Sequence, residues 1–198
     1  MIMDVFSTAY PFPIVLASTS SFRKHQFMTL GYPFICDSPQ VNEEDLKKMY
    51  NSLPITSLAL KLAEAKAESL KQKYSHYVLI GADQICHYQN ITFSKPLTFD
   101  KAFEQLNVLQ GKEHTLTTAV SVCYKNTVLT HVDQTHLRMR NLSEQDIHDY
   151  LQMDKPFFSA GSYMFEKNGQ KLFTSVLTQD PSSIIGLPLM AYKHFCFS

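Results

Sequence analysis

The segment Ile14-Val15-Leu16-Ala17-Ser18-Thr19-Ser20-Ser21-Phe22-Arg23 decides how the fold begins. Its first four residues are apolar and predict a buried strand, and a helix is predicted over 24–30, with Gly31 as its left-handed stop. A strand that enters a helix through hydroxyl residues and an arginine is typical of an anion pocket, because helix N–H groups, hydroxyls and guanidinium all donate to an anion. An ordinary helix cap followed by a surface arginine fits the same residues, and the segment alone does not separate the two.

The composition of the 198-residue chain excludes several classes of function. Eighteen Lys and Arg residues balance 18 Asp and Glu residues, which argues against general electrostatic binding to nucleic acid or to an anionic membrane. No apolar run approaches a membrane span, and residues 1–4 contain an acid and no basic stretch, so we expect no signal peptide. The four cysteines form no CxxC pair, which favours reduced thiols and a cytoplasmic location. The eight histidines are dispersed, which argues against zinc.

The pattern along the chain predicts an α/β fold with a mixed twisted sheet and flanking helices, because helices alternate with strands but consecutive hairpins interrupt the alternation. Further strands are predicted over 33–36, 77–82, 114–124, 128–140, 159–165 and 171–177. Further helices are predicted over 56–73, 98–109, 143–151, 182–185 and 188–195. Residues 38–54 are polar and are expected to form a long irregular loop, a kind of segment that often carries function.

Lys66 falls inside the apolar stripe of the helix predicted over 56–73. A desolvated ammonium is costly without a partner, so this position needs a reason. One interpretation is a side chain that follows the apolar surface and leaves its amine in water. The other is a cation that points into a binding cleft, and the sequence leaves both open.

Asp83 follows the apolar strand predicted over 77–82. An acid at the carboxyl end of a buried strand is how open α/β sheets present chemical groups to a ligand. Aspartate also favours turns for its own local hydrogen bonds, so a simple turn cap remains the alternative.

Three cations, Arg23, Lys66 and Lys95, and two acids, Glu43 and Asp83, stand on separate predicted elements. If these groups converge, they suit polyphosphate chemistry, in which cations hold the phosphates while carboxylates carry a divalent metal and activate water. The spacing itself does not establish convergence. The chain has no P-loop, no dinucleotide-binding glycine motif and no nucleophile elbow.

Five short motifs occur in a characteristic order: Ala17-Ser18-x-Ser20-x-x-Arg23, Gly81-Ala82-Asp83-Gln84, Lys95-Pro96, Ala160-Gly161-Ser162 and Gly186-Leu187-Pro188-Leu189. With these motifs the chain, from about Ile14 onward, resembles Maf-like nucleoside triphosphate pyrophosphatases. The resemblance implies one domain over residues 1–198, with two lobes around a central cleft in a Maf/ITPase-like fold. It also implies hydrolysis of a small nucleotide between its α- and β-phosphates, with Mg²⁺ or Mn²⁺ as cofactor. The oligomeric state stays open, a homodimer included.

The resemblance assigns roles to individual residues. Asp83 matches the general base, and Glu43 matches an acidic position that would serve the metal together with Asp83. The positions that match phosphate-binding residues of the family are Ser18, Ser20, Arg23, Lys66 and Lys95. The chain departs from the usual family residues at Ser21, Gln40, Asn42 and Ser94.

Three further positions match those that distinguish substrates within the family. Phe22, Gln84 and Glu166 follow the aromatic, Gln and Glu pattern of the subgroup that acts on 7-methyl-GTP, whereas members acting on dTTP and UTP carry Arg, Thr and Gln. An aromatic face suits the cationic 7-methylguanine ring, and a carboxylate can accept hydrogen bonds from the guanine edge. A core position for Phe22 is the alternative. A dTTP/UTP pyrophosphatase and a non-catalytic nucleotide-binding regulator of cell division are the competing functions.

Overall fold

A computed structural model describes residues 12–192 of the chain. The strands are β1 (Ile14–Ala17), β2 (Phe34–Asp37), β3 (Val78–Tyr88), β4 (Ile91–Phe93), β5 (Glu113–Tyr124), β6 (Thr127–Met139) and β7 (Phe173–Leu177). The helices are α1 (Ser21–Met28), α2 (Glu43–Met49), α3 (Ile55–Glu68), α4 (Phe99–Leu109) and α5 (Glu144–Asp154). Three 3₁₀ helices cover Ala160–Ser162, Asn168–Leu172 and Pro181–Ile185. A last helix begins at 189, and the part of the 188–195 prediction beyond 192 lies outside the described residues.

The seven strands form one mixed sheet in the order β2-β1-β3-β5-β6-β7, with β4 paired to β3. Strand β1 pairs in parallel with β2 and β3, whereas β4 pairs antiparallel with β3 and β7 pairs antiparallel with β6. The predicted α/β class with a mixed sheet and flanking helices is confirmed.

The chain divides into two compact units. Of the described residues, the first contains 12–83, Thr118–Asp133 and 180–192, and the second contains Gln84–Thr117 and Gln134–Gln179. The predicted cleft between two lobes and the single-domain assignment stay predictions.

Strand β1 is buried on both faces in the first unit. Ile14 and Leu16 belong to one cluster with Phe27 of α1, and Val15 and Ala17 belong to another with Ala67 of α3. Because successive side chains of a strand point to opposite faces, a strand covered on both sides reads as a continuous apolar run. This explains why the sequence alone located β1.

Residues 38–54 differ from the prediction, because they contain α2 rather than an irregular loop throughout. The side chain of Asn42 caps α2 by accepting hydrogen bonds from the N–H groups of Glu44 and Asp45. Acids fill the first turn and lysines the last, which complements the helix dipole. The helix has no buried residue, so it gives no apolar period to detect.

Two strand predictions were also wrong in extent or type. Strand β3 does not end at Ala82 but continues to Tyr88, so Asp83 lies within it. The strand predicted over 159–165 is replaced by the 3₁₀ helix Ala160–Ser162, where Gly161 and Ser162 have φ angles of +77° and +62°. Backbone in this left-handed region cannot continue a strand.

Within residues 12–192, no helix combines the length and the apolar character that crossing a membrane requires.

Gly81 allows α3 to approach β3 closely. A Cβ atom at this position would lie 2.1 Å from the carbonyl oxygen of Ala63 and 2.7 Å from the backbone nitrogen of Ala67. Both are backbone atoms of α3, so the contact is relieved only if the helix moves. The glycine therefore sets the distance between α3 and the strand that carries Asp83.

We predict that Gly81→Ala lowers the free energy of unfolding by about 1–3 kcal/mol, because overpacking forces the backbone to shift. Urea titration followed by circular dichroism measures the change. Gly31→Ala is the control, because it carries a φ of +77° but an added Cβ meets no atom within 4 Å. A smaller loss for Gly81→Ala than for Gly31→Ala would contradict the close-approach argument.

Candidate active site

The ammonium of Lys66 lies at the centre of a charged cluster in the first unit. Lys66 is 4% exposed and stands on the apolar face of α3 with Leu62, Ala63 and Ala67. Its Nζ lies 2.6 Å from Oδ1 of Asp83 and 3.0 Å from Oε1 of Glu43. The interpretation that placed this amine in water is wrong, because the ammonium is buried and paired with two carboxylates, whereas its direction into a binding cleft stays a prediction.

Asp83 is 5% exposed and belongs to strand β3, so it does not serve as the cap of a turn. Two neighbours on alternate positions, Leu79 and Gly81, face α3, and the period of two places Asp83 on the same face. A buried carboxylate is costly unless it is paired, and the Lys66 ammonium supplies that pairing. Strand parity and the Gly81 contact together bring these two charges to hydrogen-bond distance.

Arg23 is anchored to backbone carbonyl groups. Its Nε donates to the carbonyl oxygen of Gly186 at 2.8 Å, and its Nη1 donates to that of Ala82 at 3.0 Å. Burial lowers the pKa of the guanidinium, while the negative charges of Asp83 and Glu43 act in the opposite direction. Arg23 is therefore held beside the Lys66 cluster rather than loose on the surface.

The serines between β1 and α1 form a short chain of hydrogen bonds. The N–H of Ser20 donates to Oγ of Ser18 at 3.1 Å, and the N–H of Arg23 donates to Oγ of Ser20 at 3.4 Å. Ser20 is thus the N-cap of α1, as the simpler interpretation of this segment expected. Because each hydroxyl accepts from the backbone, its own O–H can still donate to an anion, so the cap does not exclude an anion pocket.

The charges of the cluster balance. Arg23 and Lys66 contribute two positive charges, and Glu43 and Asp83 contribute two negative charges. Carboxylate oxygens are the ligands that Mg²⁺ prefers, and one or two carboxylates with water and substrate phosphates are its usual set in phosphate-transfer sites. Within residues 12–192, no group of three or more His, Cys, Asp or Glu residues is arranged as a metal site. Glu43 and Asp83, whose carboxylates both contact the Lys66 ammonium, are the two acids of the cluster that could hold such an ion together with a phosphate.

The remaining candidate residues are distributed over both units. Phe22 is partly exposed on α1, whereas Phe27 of the same helix is fully buried, so the core interpretation does not hold for Phe22. Gln84, Lys95 and Glu166 belong to the second unit. Gln84 is half-buried in β3, while Lys95 and Glu166 are exposed.

Two residues that support the site were not recognised from the sequence as doing so. The sequence shows Gly81 only as part of a family motif. Its role, which is to allow the close approach of a helix, depends on the helix that packs against it. Asn42 was noted only as a departure from the family pattern, yet it caps the helix that begins with Glu43. The run Asn42-Glu43-Glu44-Asp45, an amide followed by acids, is a signal that could have revealed this helix start.

We predict that Lys66→Met lowers the free energy of unfolding by about 3–5 kcal/mol, because it leaves a buried carboxylate without its partner. Lys61→Met on the same helix is the matched control, since Lys61 forms an exposed pair with Glu64 at 2.9 Å. Such exposed pairs within one helix contribute about 0.3–0.5 kcal/mol. Urea unfolding of both variants measures the difference, and equal losses would contradict the geometry of the cluster.

Comparison with known proteins identifies the family. A nucleoside triphosphate pyrophosphatase of Legionella pneumophila is 36% identical over 90% of this chain and 89% of its own. The 7-methyl-GTP pyrophosphatase of Bdellovibrio bacteriovorus is 38% identical over 89% of this chain and 92% of the relative. The 7-methyl-GTP pyrophosphatase of Hydrogenovibrio crunogenus is 36% identical over 96% of this chain and 94% of the relative. Among solved structures, the Staphylococcus aureus Ham1 protein matches 80% of this chain and 90% of its own, at 14% identity and a TM-score of 0.39.

The family model described as Maf-like protein matches residues 13–196, which is nearly the whole chain. It spans every element of both units described above, including β1, α3 and β3, which carry the charged cluster. Together with relatives of 36–38% identity over most of their length, this match leads to one conclusion. The chain belongs to the Maf-like protein family.

Proposed function

We propose that this protein is a nucleoside triphosphate pyrophosphatase, which hydrolyses the bond between the α- and β-phosphates and releases a nucleoside monophosphate and pyrophosphate. The observation that carries the proposal is the Lys66 ammonium shared between Asp83 and Glu43. The names of relatives at 36–38% identity support the same activity.

The cations and hydroxyls of the first unit suit the binding of phosphates. An ammonium has three N–H donors, and two of those of Lys66 are directed at Asp83 and Glu43, which leaves one for a phosphate oxygen. The O–H groups of Ser18 and Ser20 supply further donors beside Arg23. We assign the binding of the triphosphate to these four residues together with Lys95 of the second unit.

Asp83 is our candidate for the general base. Phosphoryl chemistry depends mainly on positioning and charge stabilisation, with a carboxylate that orients and deprotonates the attacking water. The Lys66 ammonium keeps the Asp83 side chain in one place at 2.6 Å. A carboxylate fixed in this way is positioned to orient a water molecule for attack on the phosphate.

The function includes a divalent cation, Mg²⁺ or Mn²⁺, held by Glu43 and Asp83. Such an ion would neutralise phosphate charge and polarise the bond that breaks. Within the Lys66 cluster the two carboxylates balance the two cations, so this cluster by itself does not compensate the charge of a triphosphate. This imbalance favours binding of the nucleotide together with a metal.

The substrate that we favour is 7-methyl-GTP. Methylation at N7 makes guanine cationic, and Phe22, which is partly exposed, carries the kind of ring that attracts such a base. Glu166 and Gln84 provide hydrogen-bonding groups that match the guanine edge better than the acceptor edge of uracil or thymine. Two of the relatives named above are 7-methyl-GTP pyrophosphatases. A cytoplasmic location, no nucleic-acid partner and a possible homodimer complete the proposal.

The direct test is a panel of 7-methyl-GTP, GTP, UTP and dTTP, with released pyrophosphate converted to phosphate and measured by colour. We expect the highest kcat/KM for 7-methyl-GTP. Fastest turnover of UTP or dTTP would overturn the specificity and favour the dTTP/UTP alternative. Absence of turnover with every nucleotide, with Mg²⁺ and with Mn²⁺, would overturn the enzyme proposal and favour a nucleotide-binding regulator.

We predict that Asp83→Asn lowers kcat by about 10²–10⁴-fold, the usual contribution of a general base. Binding of a non-hydrolysable nucleotide should be largely retained, as measured by calorimetry. Glu64→Gln on α3 is the control, because Glu64 forms an ion pair with the exposed Lys61 of the same helix and not with Lys66. Activity of Asp83→Asn within a few-fold of the parent would show that another group is the base.

Phe22→Arg should shift the preference from 7-methyl-GTP towards UTP, because it replaces an aromatic surface by a charge that repels a cationic base. The ratio of the two kcat/KM values measures the shift, and Phe22→Tyr, which keeps the ring, should leave it unchanged. An unaltered ratio for Phe22→Arg would exclude contact between this position and the base.

A further inference from the structure

A cavity of about 340 Å³ opens beside the serine segment in the first unit. Its lining includes Ser18, Ser20, Ser21, Lys24, Cys36 and Asp37. The volume is within the range of small-molecule sites, about 300–1,000 Å³. Asp83 and Lys66 are not part of this lining, whereas Ser18 and Ser20, which precede Arg23 in the chain, are.

We propose that Lys24 binds the terminal phosphate of the triphosphate in this cavity and so distinguishes triphosphates from diphosphates. The inference rests on the proposed function and assigns a residue that the resemblance does not include. The resemblance gives phosphate-binding roles to Ser18, Ser20 and Arg23 in this segment but none to Lys24.

The charges in the cavity wall favour an anion. Asp37 is the one acidic residue among the described residues that line the cavity. It is paired with Nζ of Lys73 at 2.7 Å and accepts a hydrogen bond from the hydroxyl of Tyr74 at 2.9 Å. The hydrogen bond from Lys73, and to a smaller extent that from Tyr74, holds the pKa of Asp37 below its ordinary value. The negative charge of Asp37 is therefore present and is compensated by Lys73. Lys24 forms no ion pair with any residue in the described range 12–192, so its charge remains for a ligand.

The charge of Lys24 reaches the cavity. Burial raises the pKa of the Cys36 thiol, and the positive charge of Lys24 opposes this change. Lys24 and Cys36 both line the cavity, and this effect on the thiol agrees with a position of the ammonium beside the same space.

The side chains of Arg23 and Lys24 have different surroundings. Arg23 is turned towards the carbonyl groups of Ala82 and Gly186, next to Asp83, whereas Lys24 borders the cavity. Consecutive residues of a helix point about 100° apart, so the two cations serve different spaces. A triphosphate whose reacting end lies at Asp83 can pass along Ser18 and Ser20 and bring its terminal phosphate to Lys24.

The test compares Lys24→Met with the parent on 7-methyl-GTP and 7-methyl-GDP. We expect kcat/KM for the triphosphate to fall about 10–100-fold, as for the loss of a hydrogen bond to a charged group, while the value for the diphosphate stays within about twofold. Lys24→Arg should retain most of the activity on the triphosphate. Lys101→Met, at an exposed lysine of α4, is the control for the loss of a surface charge. Equal falls for the two substrates, or no fall for either, would overturn the proposal.

A binding measurement separates this inference from the proposed function. Calorimetry with inorganic tripolyphosphate requires no turnover, and we expect Lys24→Met to weaken its binding about 10–100-fold. If the parent protein hydrolyses no nucleotide but this loss is observed, the proposed function fails and the Lys24 phosphate site stands. If the parent is active but tripolyphosphate binding is unchanged by Lys24→Met, the inference about Lys24 fails and the proposed function stands.

Discussion

The rest of the site depends on one buried ammonium group. Lys66 is 4% exposed on the apolar face of α3, and a charge in that position is tolerated only with partners. Asp83 at 2.6 Å and Glu43 at 3.0 Å are those partners, and they come from a strand and from a different helix. Three elements of the first unit are therefore tied to one point, which is where a phosphate-binding enzyme needs its charges to be fixed.

Local features of the chain make this arrangement possible. Gly81 lets the backbone of α3 approach β3, and Asn42 caps the short helix that begins with Glu43. The left-handed Gly186 offers its carbonyl oxygen to Arg23, and an added Cβ there would lie 3.2 Å from Nε. Each of these residues acts by shaping backbone rather than by contacting a substrate, and together they hold the charged side chains in place.

Sequence reasoning located elements whose signals are local. Strand β1 is apolar because both faces are covered, and the capping box at Ser143 marks the start of α5. It missed α2, because no residue of that helix is buried. It also ended β3 too early, because the continuation of that strand through Asp83 depends on contacts with residues distant in the chain. The sequence also placed Lys66 on the apolar face of its helix and named Asp83 in the same candidate set. Spacing alone did not establish their contact, because Asp83 is 17 positions away and only packing brings it close.

The most direct test is a crystal structure with a 7-methyl-GTP analogue whose α–β bridging oxygen is replaced by a methylene group. The account predicts the α- and β-phosphates against Nζ of Lys66 and the hydroxyls of Ser18 and Ser20, with the carboxylate of Asp83 facing the α-phosphorus. A nucleotide bound elsewhere on the protein, with the ion pair of Lys66 and Asp83 untouched and shielded from it, would contradict the account and make that pair a structural one.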